Sequence, residues 1–272
     1  MQQDPPANGN RKAFQPVPIR YLLPNLITLL ALCSGITAIR LAFEGRFEIA
    51  VAAIILAIFL DALDGRLARL LKGTSKFGAE LDSLADFVNF GVAPALLLYF
   101  WALNSLKPVG WIICLMLAVA CALRLARFNV MLEDPLKPAY ANAFFVGMPA
   151  PAGAGLAMVP LYIGFLQGDV EGHRYAGFIA PCVVGLAILL VSRVPTFSGK
   201  TVDRVPRELV LPILAAGALA IVCLIAYPWQ TLLTAASLYV ALIPVSVMRY
   251  FGYKKAAAQP PKMQSETSVK KS

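Results

Sequence analysis

Four aspartates carry the chemistry of this sequence. They stand in two runs, Asp61-Ala-Leu-Asp64-Gly65-Arg66-Leu-Ala68-Arg69 and Phe77-Gly78-Ala-Glu80-Leu-Asp82-Ser-Leu-Ala-Asp86, each continuous with an apolar stretch. A charged side chain inside a membrane helix costs at least roughly 2.5–3.5 kcal/mol on insertion scales, so four in neighbouring segments need compensation. On an α-helix Asp61, Asp64, Gly65 and Ala68 fall on one stripe through i+3, i+4 and i+7 spacing. Asp82 and Asp86 form an i, i+4 pair. The loop between the runs is short, so the two helices are antiparallel neighbours and the pairs converge.

Four packed carboxylates repel one another. Two divalent cations match them charge for charge, and a hard oxygen ligand set points to Mg²⁺ or Mn²⁺. Mg²⁺ is commonly shared with substrate phosphates, and a two-metal clamp suits in-line displacement at phosphorus. Gly65 and Ala68 lack bulk and let a nucleotide or its pyrophosphate approach the helix. Arg69, with Lys72 and Lys76 nearby, can neutralise phosphate oxygens. From Asp61 to Lys72 a helix rises about 16 Å, which places the site near the headgroup layer. Two other arrangements use the same residues. In one, the aspartates are locked in buried ion pairs with Arg66, Arg69 and Arg124; that leaves the small residues and the clustering unexplained. In the other they line an ion or proton pathway of a transporter. Against that reading, the acids gather at one end of their helices and no internal repeat is evident.

The elements that must hold these residues follow from composition. Of 272 residues, 59% are hydrophobic and 14% charged, and the mean hydropathy is +0.71. Soluble domains carry about a quarter charged residues, so a soluble enzyme, a disordered chain and a disulfide scaffold are all excluded. The expected fold class is all-α, a polytopic membrane helix bundle. Eight spans are expected, at about Leu22–Phe43, Phe47–Leu71, Leu84–Leu103, Val109–Leu132, Pro149–Leu166, Gly177–Val194, Leu209–Tyr227 and Gln230–Phe251. The net charge is +9. Twenty of the 24 Lys and Arg fall on one side, in the tails or at and beyond the ends of spans two, four, six and eight. The positive-inside rule then sets both termini in the cytoplasm. This surplus serves anionic headgroups, not nucleic acid. The five cysteines lie in apolar runs without C-x-x-C pairing and read as small buried hydrophobes. His173 is the only histidine, which excludes zinc sites of the H-E-x-x-H kind and mechanisms needing two histidines.

From Asp61 to Asp86 the residues spell D-x2-D-G-x2-A-R-x8-G-x3-D-x3-D. This resembles the signature of the CDP-alcohol phosphotransferase family, integral membrane enzymes that move a substituted phosphate from a CDP-alcohol to another alcohol. The resemblance implies that Asp61, Asp64 and Asp82 bind metal, and that Asp86 touches metal and accepts the proton of the incoming hydroxyl. It implies that Gly65, Arg69 and Ser75, beside Ala68 and Gly78, hold the CDP-linked phosphates and nucleotide. Flanking segments narrow it further: Leu23-Pro24-Asn25-Leu-Ile-Thr28, Ala122-Leu-Arg124-Leu-Ala-Arg127-Phe128-Asn129, Phe145-Val-Gly147-Met-Pro149-Ala-Pro151-Ala-Gly153 and Val191-Ser192-Arg193-Val-Pro195-Thr-Phe197. They look like members that use CDP-diacylglycerol and L-serine and release CMP. Other acceptors served by the same motif are glycerol 3-phosphate, an inositol phosphate and choline.

The expected organisation is a polar tail (1–18), a six-span family domain (19–200), two additional C-terminal helices (201–253) and a disordered basic tail (254–272). The resemblance stops at about Lys200. It implies a homodimer in the inner (plasma) membrane with a cytoplasmic site. Several flanking residues have two readings. Arg124, Arg127 and Asn129 are candidates for recognising serine, or the arginines anchor a helix end at the interface. Asn25 and Thr28 line the pocket or satisfy neighbouring helices. Pro149 and Pro151 suit a first helical turn, and Gly147 and Gly153 permit close packing.

Overall fold

In a bilayer every backbone polar group must be satisfied within the chain, and a sequence this apolar resolves into helices. The computed structural model describes residues 19–132, 144–168, 171–192, 195–197 and 206–257. Helices α1 (Ile19–Phe43) and α2 (Phe47–Leu70) form a hairpin. Next comes one long rod made of α3 (Lys76–Asp86), a π-helical turn (Phe87–Val92) and α4 (Ala93–Trp101). Helix α5 (Pro108–Leu132) returns. Helices α6 (Ala150–Ala157) and α7 (Val159–Gln167) make a second interrupted rod, α8 (Ala176–Val191) pairs with α5, and α9 (Arg207–Ala226) and α10 (Pro228–Ala257) close the chain.

Prolines explain the interruptions. Pro94 has no N–H to give to the preceding turn, and the ladder widens into the π turn just upstream. Pro160 likewise follows the break at Met158. Small residues set the packing. Helix α1 buries Thr28, Ala31, Gly35, Ala38 and Ala42, spaced by threes and fours, and packs this stripe on α2, α3, the π turn and α4. Its opposite face exposes Leu22, Leu26, Leu29 and Ile36, as a lipid-facing surface requires. The main core joins Val51 and Ile54 of α2, Leu97, Leu98 and Trp101 of α4, Leu117 of α5, Leu161 and Tyr162 of α7, and Val183 and Leu190 of α8. Helix α9 lies outside it, its span window without a buried residue.

Six helical runs among the described residues are long and apolar enough to cross a membrane: Leu22–Phe43, Lys76–Trp101, Pro108–Met131, Ala150–Gln167, Gly172–Val191 and Glu208–Ala226. Helices α2 and α10 reach 24 and 30 residues without meeting that standard. The all-α expectation holds, with one short extended element beside the helices. A two-stranded antiparallel ribbon pairs β1 (Phe144–Val146) with β2 (Pro195–Phe197), Phe145 opposite Thr196. Aromatic and β-branched residues bounded by Gly147 and Pro195 favour extension here over helix. The third rod also starts at Lys76, not Leu84, because its polar opening turns carry site residues. Helix α10 continues to Ala257, and the expected tails otherwise lie outside the described residues.

Ala38 is fully buried on the α1 stripe. Ala38→Leu should overpack it at a cost of about 1–3 kcal/mol and lower the Tm in detergent. Ile36→Leu, on the lipid face of the same helix, should leave the Tm unchanged.

Candidate active site

The hairpin between α2 and α3 begins with a tight helix ending. Leu71 N–H donates to the Leu67 carbonyl at 2.9 Å, Lys72 N–H to Arg69 at 3.3 Å and Gly73 N–H to Ala68 at 2.9 Å. Lys72 takes the left-handed conformation, φ 50°, that lets the last carbonyls be satisfied while the chain turns away. Ser75 then caps α3, its Oγ accepting from Gly78 N–H at 2.9 Å. The short reversal fixes depth. Asp61 and Asp86 both sit about 14–15 Å along the axis from the hairpin ends of their helices, and Asp64 and Asp82 both about 9 Å.

Carboxylate oxygens of Asp61, Asp64 and Asp82 all lie within 4.8 Å of one another. Asp64 is buried; Asp61 and Asp82 are half-buried. Asp86 joins at the deeper level, beside Asp61. Its Oδ1 is buried and has no partner. The guanidinium of Arg124 on α5 acts electrostatically on Asp86 and Asp61, and stands 5.6 Å from the Phe128 ring centre. Among the described residues none of the four aspartates forms a salt bridge. The ion-paired arrangement with Arg66, Arg69 and Arg124 is therefore not the one adopted. An all-carboxylate donor set fits a hard divalent cation.

Helix α1 supports the cluster from behind. Thr28 Oγ1 donates to Asp64 Oδ2 at 2.5 Å and lies 3.1 Å from the Pro24 carbonyl. Asn25 overlies the first turn of α3: a Cβ on Gly78 would come within 2.8 Å of its Oδ1. Gly65 and Ala68 are half-buried, Arg69 is exposed, and a Cβ on Gly65 would meet only Arg69 Nη1 at 3.7 Å. The space over this face is open. The α3 N-terminus at Ser75 adds positive dipole, which attracts phosphate oxygens.

Two of the serine candidates are engaged elsewhere. Arg127 Nη1 donates to the Val191 carbonyl at 2.7 Å, tying α5 to the end of α8. Asn129 Nδ2 donates to Ser83 Oγ at 2.9 Å and braces α3 between Asp82 and Asp86. Arg124 alone of the three is directed at the carboxylates. Gly147, φ 90°, and Gly153 serve packing, since a Cβ would come within 3.2 Å of the Ser192 carbonyl and 2.8 Å of Leu190 respectively. His173 pairs loosely with Glu171 at 3.9 Å, before the start of α8 and far along it from Val191. All five cysteines are free. Sequence reasoning passed over Ser83 and Asn89. A polar residue inside the apolar run Phe87-Val-Asn-Phe-Gly-Val was the available signal for Asn89.

Comparison with known proteins converges on one family. A sequence model described as CDP-alcohol phosphatidyltransferase matches residues 21–191, and one described as CDP-alcohol phosphatidyltransferase 2 matches residues 208–244. The two C-terminal helices, left unmatched by the motif, thus have a match of their own. Similar proteins named CDP-diacylglycerol–serine O-phosphatidyltransferase include one from Mycobacterium tuberculosis H37Rv, 44% identical over 227 residues, covering 83% of this chain and 78% of that one. One from Helicobacter pylori J99 is 38% identical over 190 residues, 67% of this chain and 75% of the relative. One from Bacillus subtilis 168 is 36% identical over 172 residues, 63% and 88% respectively.

Thr28→Val keeps the shape and removes the hydroxyl that serves Asp64. Hydrogen bonds to charged groups contribute about 1.5–3 kcal/mol. The Mn²⁺ concentration giving half-maximal thermal stabilisation should therefore rise about tenfold or more in a melting titration. An unchanged midpoint would separate Thr28 from the cation site.

Proposed function

The chain belongs to the CDP-alcohol phosphatidyltransferase family, and we propose that it transfers the phosphatidyl group of CDP-diacylglycerol to the hydroxyl of L-serine, giving phosphatidylserine and CMP. What supports this above all is the convergence of Asp61, Asp64 and Asp82, none of which forms a salt bridge among the described residues, in a chain whose relatives are named for that reaction. Asp61, Asp64, Asp82 and Asp86 would hold two Mg²⁺ or Mn²⁺ ions, which supply positive charge against the diphosphate and the departing CMP.

The chain's own residues do the rest. Ser75, Gly78 and the α3 N-terminus receive phosphate oxygens, Gly65 and Ala68 leave room for the nucleotide, and Arg69 adds charge at the mouth. Asp86 accepts the serine hydroxyl proton as that oxygen attacks the phosphorus bearing diacylglycerol, and the bond to the CMP oxygen breaks. Arg124 is the residue best placed to meet the serine carboxylate. The single histidine pairs with Glu171 away from the aspartates, which leaves no Ser-His or Cys-His pair at the site and supports single displacement without a covalent intermediate. The positions of the basic residues support eight spans, α2 and α10 included, with both termini and the site on the cytoplasmic side of the plasma (inner) membrane. Helix α2 falls short of the span standard through charges that belong to the site, and we read it as a span with them. The family resemblance extends the reading to a homodimer, and to a domain of residues 19–200 carrying an added α9–α10 hairpin.

The test is CMP release by purified protein given CDP-diacylglycerol, Mn²⁺ or Mg²⁺, and a panel of labelled alcohols. L-Serine should support release and become phosphatidylserine. Release with glycerol 3-phosphate, inositol phosphate or choline instead would reassign the acceptor. Asp86→Asn should lower turnover about 10²–10⁴-fold while CDP-diacylglycerol still binds. Excess EDTA should abolish turnover, and configuration at phosphorus should invert; full activity in EDTA, or net retention, would contradict the mechanism.

A further inference from the structure

Asn89 is the polar side chain for which the chemistry above has no use. It is 1% exposed, and neither its Nδ2 nor its Oδ1 has a hydrogen-bond partner. Buried side-chain amides are paired in the large majority of proteins, so an orphan inside a membrane helix calls for a reason. Its position supplies one. The π turn Phe87–Val92 begins directly after Asp86, and isolated π turns in α-helical rods recur at functional sites, where they change the direction of neighbouring side chains. Asp86 Oδ1, about one turn away, is likewise buried and unpartnered. One stretch of helix therefore holds an unused donor and an unused carboxylate oxygen three residues apart, across the start of the π turn. Facing it, α1 presents Gly35. A Cβ there would overlap Asn89 Oδ1, so the glycine is what leaves the amide its room.

We propose that Asn89 is a positioning residue for Asp86: in the substrate-loaded site its amide nitrogen donates to the free Asp86 oxygen and holds the carboxyl in the orientation that meets the incoming hydroxyl. This rests on the role given to Asp86 above. Asn89 touches neither substrate and acts through that carboxyl. Packing and positioning predict opposite responses to an apolar substitute. A residue retained for packing is lost at a cost in stability, whereas removing an unpaired buried amide is neutral or stabilising.

Full-length protein in detergent, with CDP-diacylglycerol, L-serine and Mn²⁺, provides the test through Asn89→Leu, Asn89→Ser and Gly35→Ala. Asn89→Leu should melt at or above the wild-type temperature, with kcat reduced 10–100-fold and both KM values within twofold. Asn89→Ser, which keeps a donor, should recover part of kcat. Gly35→Ala should reproduce the kcat loss through the displaced amide. Wild-type kcat in Asn89→Leu would overturn the inference, as would a loss that follows a lowered Tm or a rise in both KM values. Wild-type protein that releases no CMP with any alcohol would overturn the reaction and this inference together. Wild-type release with an unimpaired Asn89→Leu would overturn the inference alone.

Discussion

Like charges held close together in a poorly screened environment must be neutralised, and the carboxylates of Asp61, Asp64 and Asp82 are held with oxygens inside 4.8 Å of one another. At such separations each repulsive pair is worth a few kcal/mol even with an effective dielectric near 20. The described residues offer no salt bridge to relieve it. A protein can protonate such groups, pair them with arginines or give them cations. The second arrangement is absent here, and the first would waste a site placed beside a helix N-terminus and an open glycine face. Cation binding is the arrangement the surroundings favour.

The rest of the bundle reads as apparatus for holding that cluster together. The left-handed Lys72 and the Ser75 cap make the hairpin short enough to bring two aspartate pairs to equal depth. The small-residue stripe of α1 lets a third backbone approach, so Thr28 reaches Asp64 and Asn25 covers the α3 N-terminus. Helix α5 braces the far side through Asn129 on Ser83, and is itself tied to α8 through Arg127. Rigidity matters because two-metal chemistry depends on carboxylates that do not relax when substrate arrives.

Much of this was legible before any coordinates. The Asp61–Asp86 spacing specified the hairpin, the convergence and the family, because charges in a membrane helix are costly enough that their placement carries information. Rod positions followed from apolar runs. Edges did not: hydropathy placed the third rod at Leu84, whereas α3 starts at Lys76, since helix geometry continues through polar turns that serve a site. The β1–β2 ribbon escaped because three-residue strands leave no periodic signal. Arg127 and Asn129 looked like substrate residues by proximity in sequence to Arg124. Their partners, the Val191 carbonyl and Ser83, are 64 and 46 positions away, and contacts that distant are invisible in local pattern. The π turn and its orphan amide were hidden for the same reason; only packing against Gly35 reveals them.

Depth ties the chemistry to the membrane. A site about 9–15 Å from the hairpin end suits a substrate whose diphosphate lies at the headgroup layer and whose tails stay in hydrocarbon. The decisive observation is anomalous scattering from crystals grown with Mn²⁺ and CDP-diacylglycerol. Manganese peaks should appear among Asp61, Asp64, Asp82 and Asp86, with ligand oxygens at about 2 Å and the diphosphate completing the coordination. A map with no anomalous peak there, and the carboxylates turned to Arg66, Arg69 or Arg124 instead, would contradict the account.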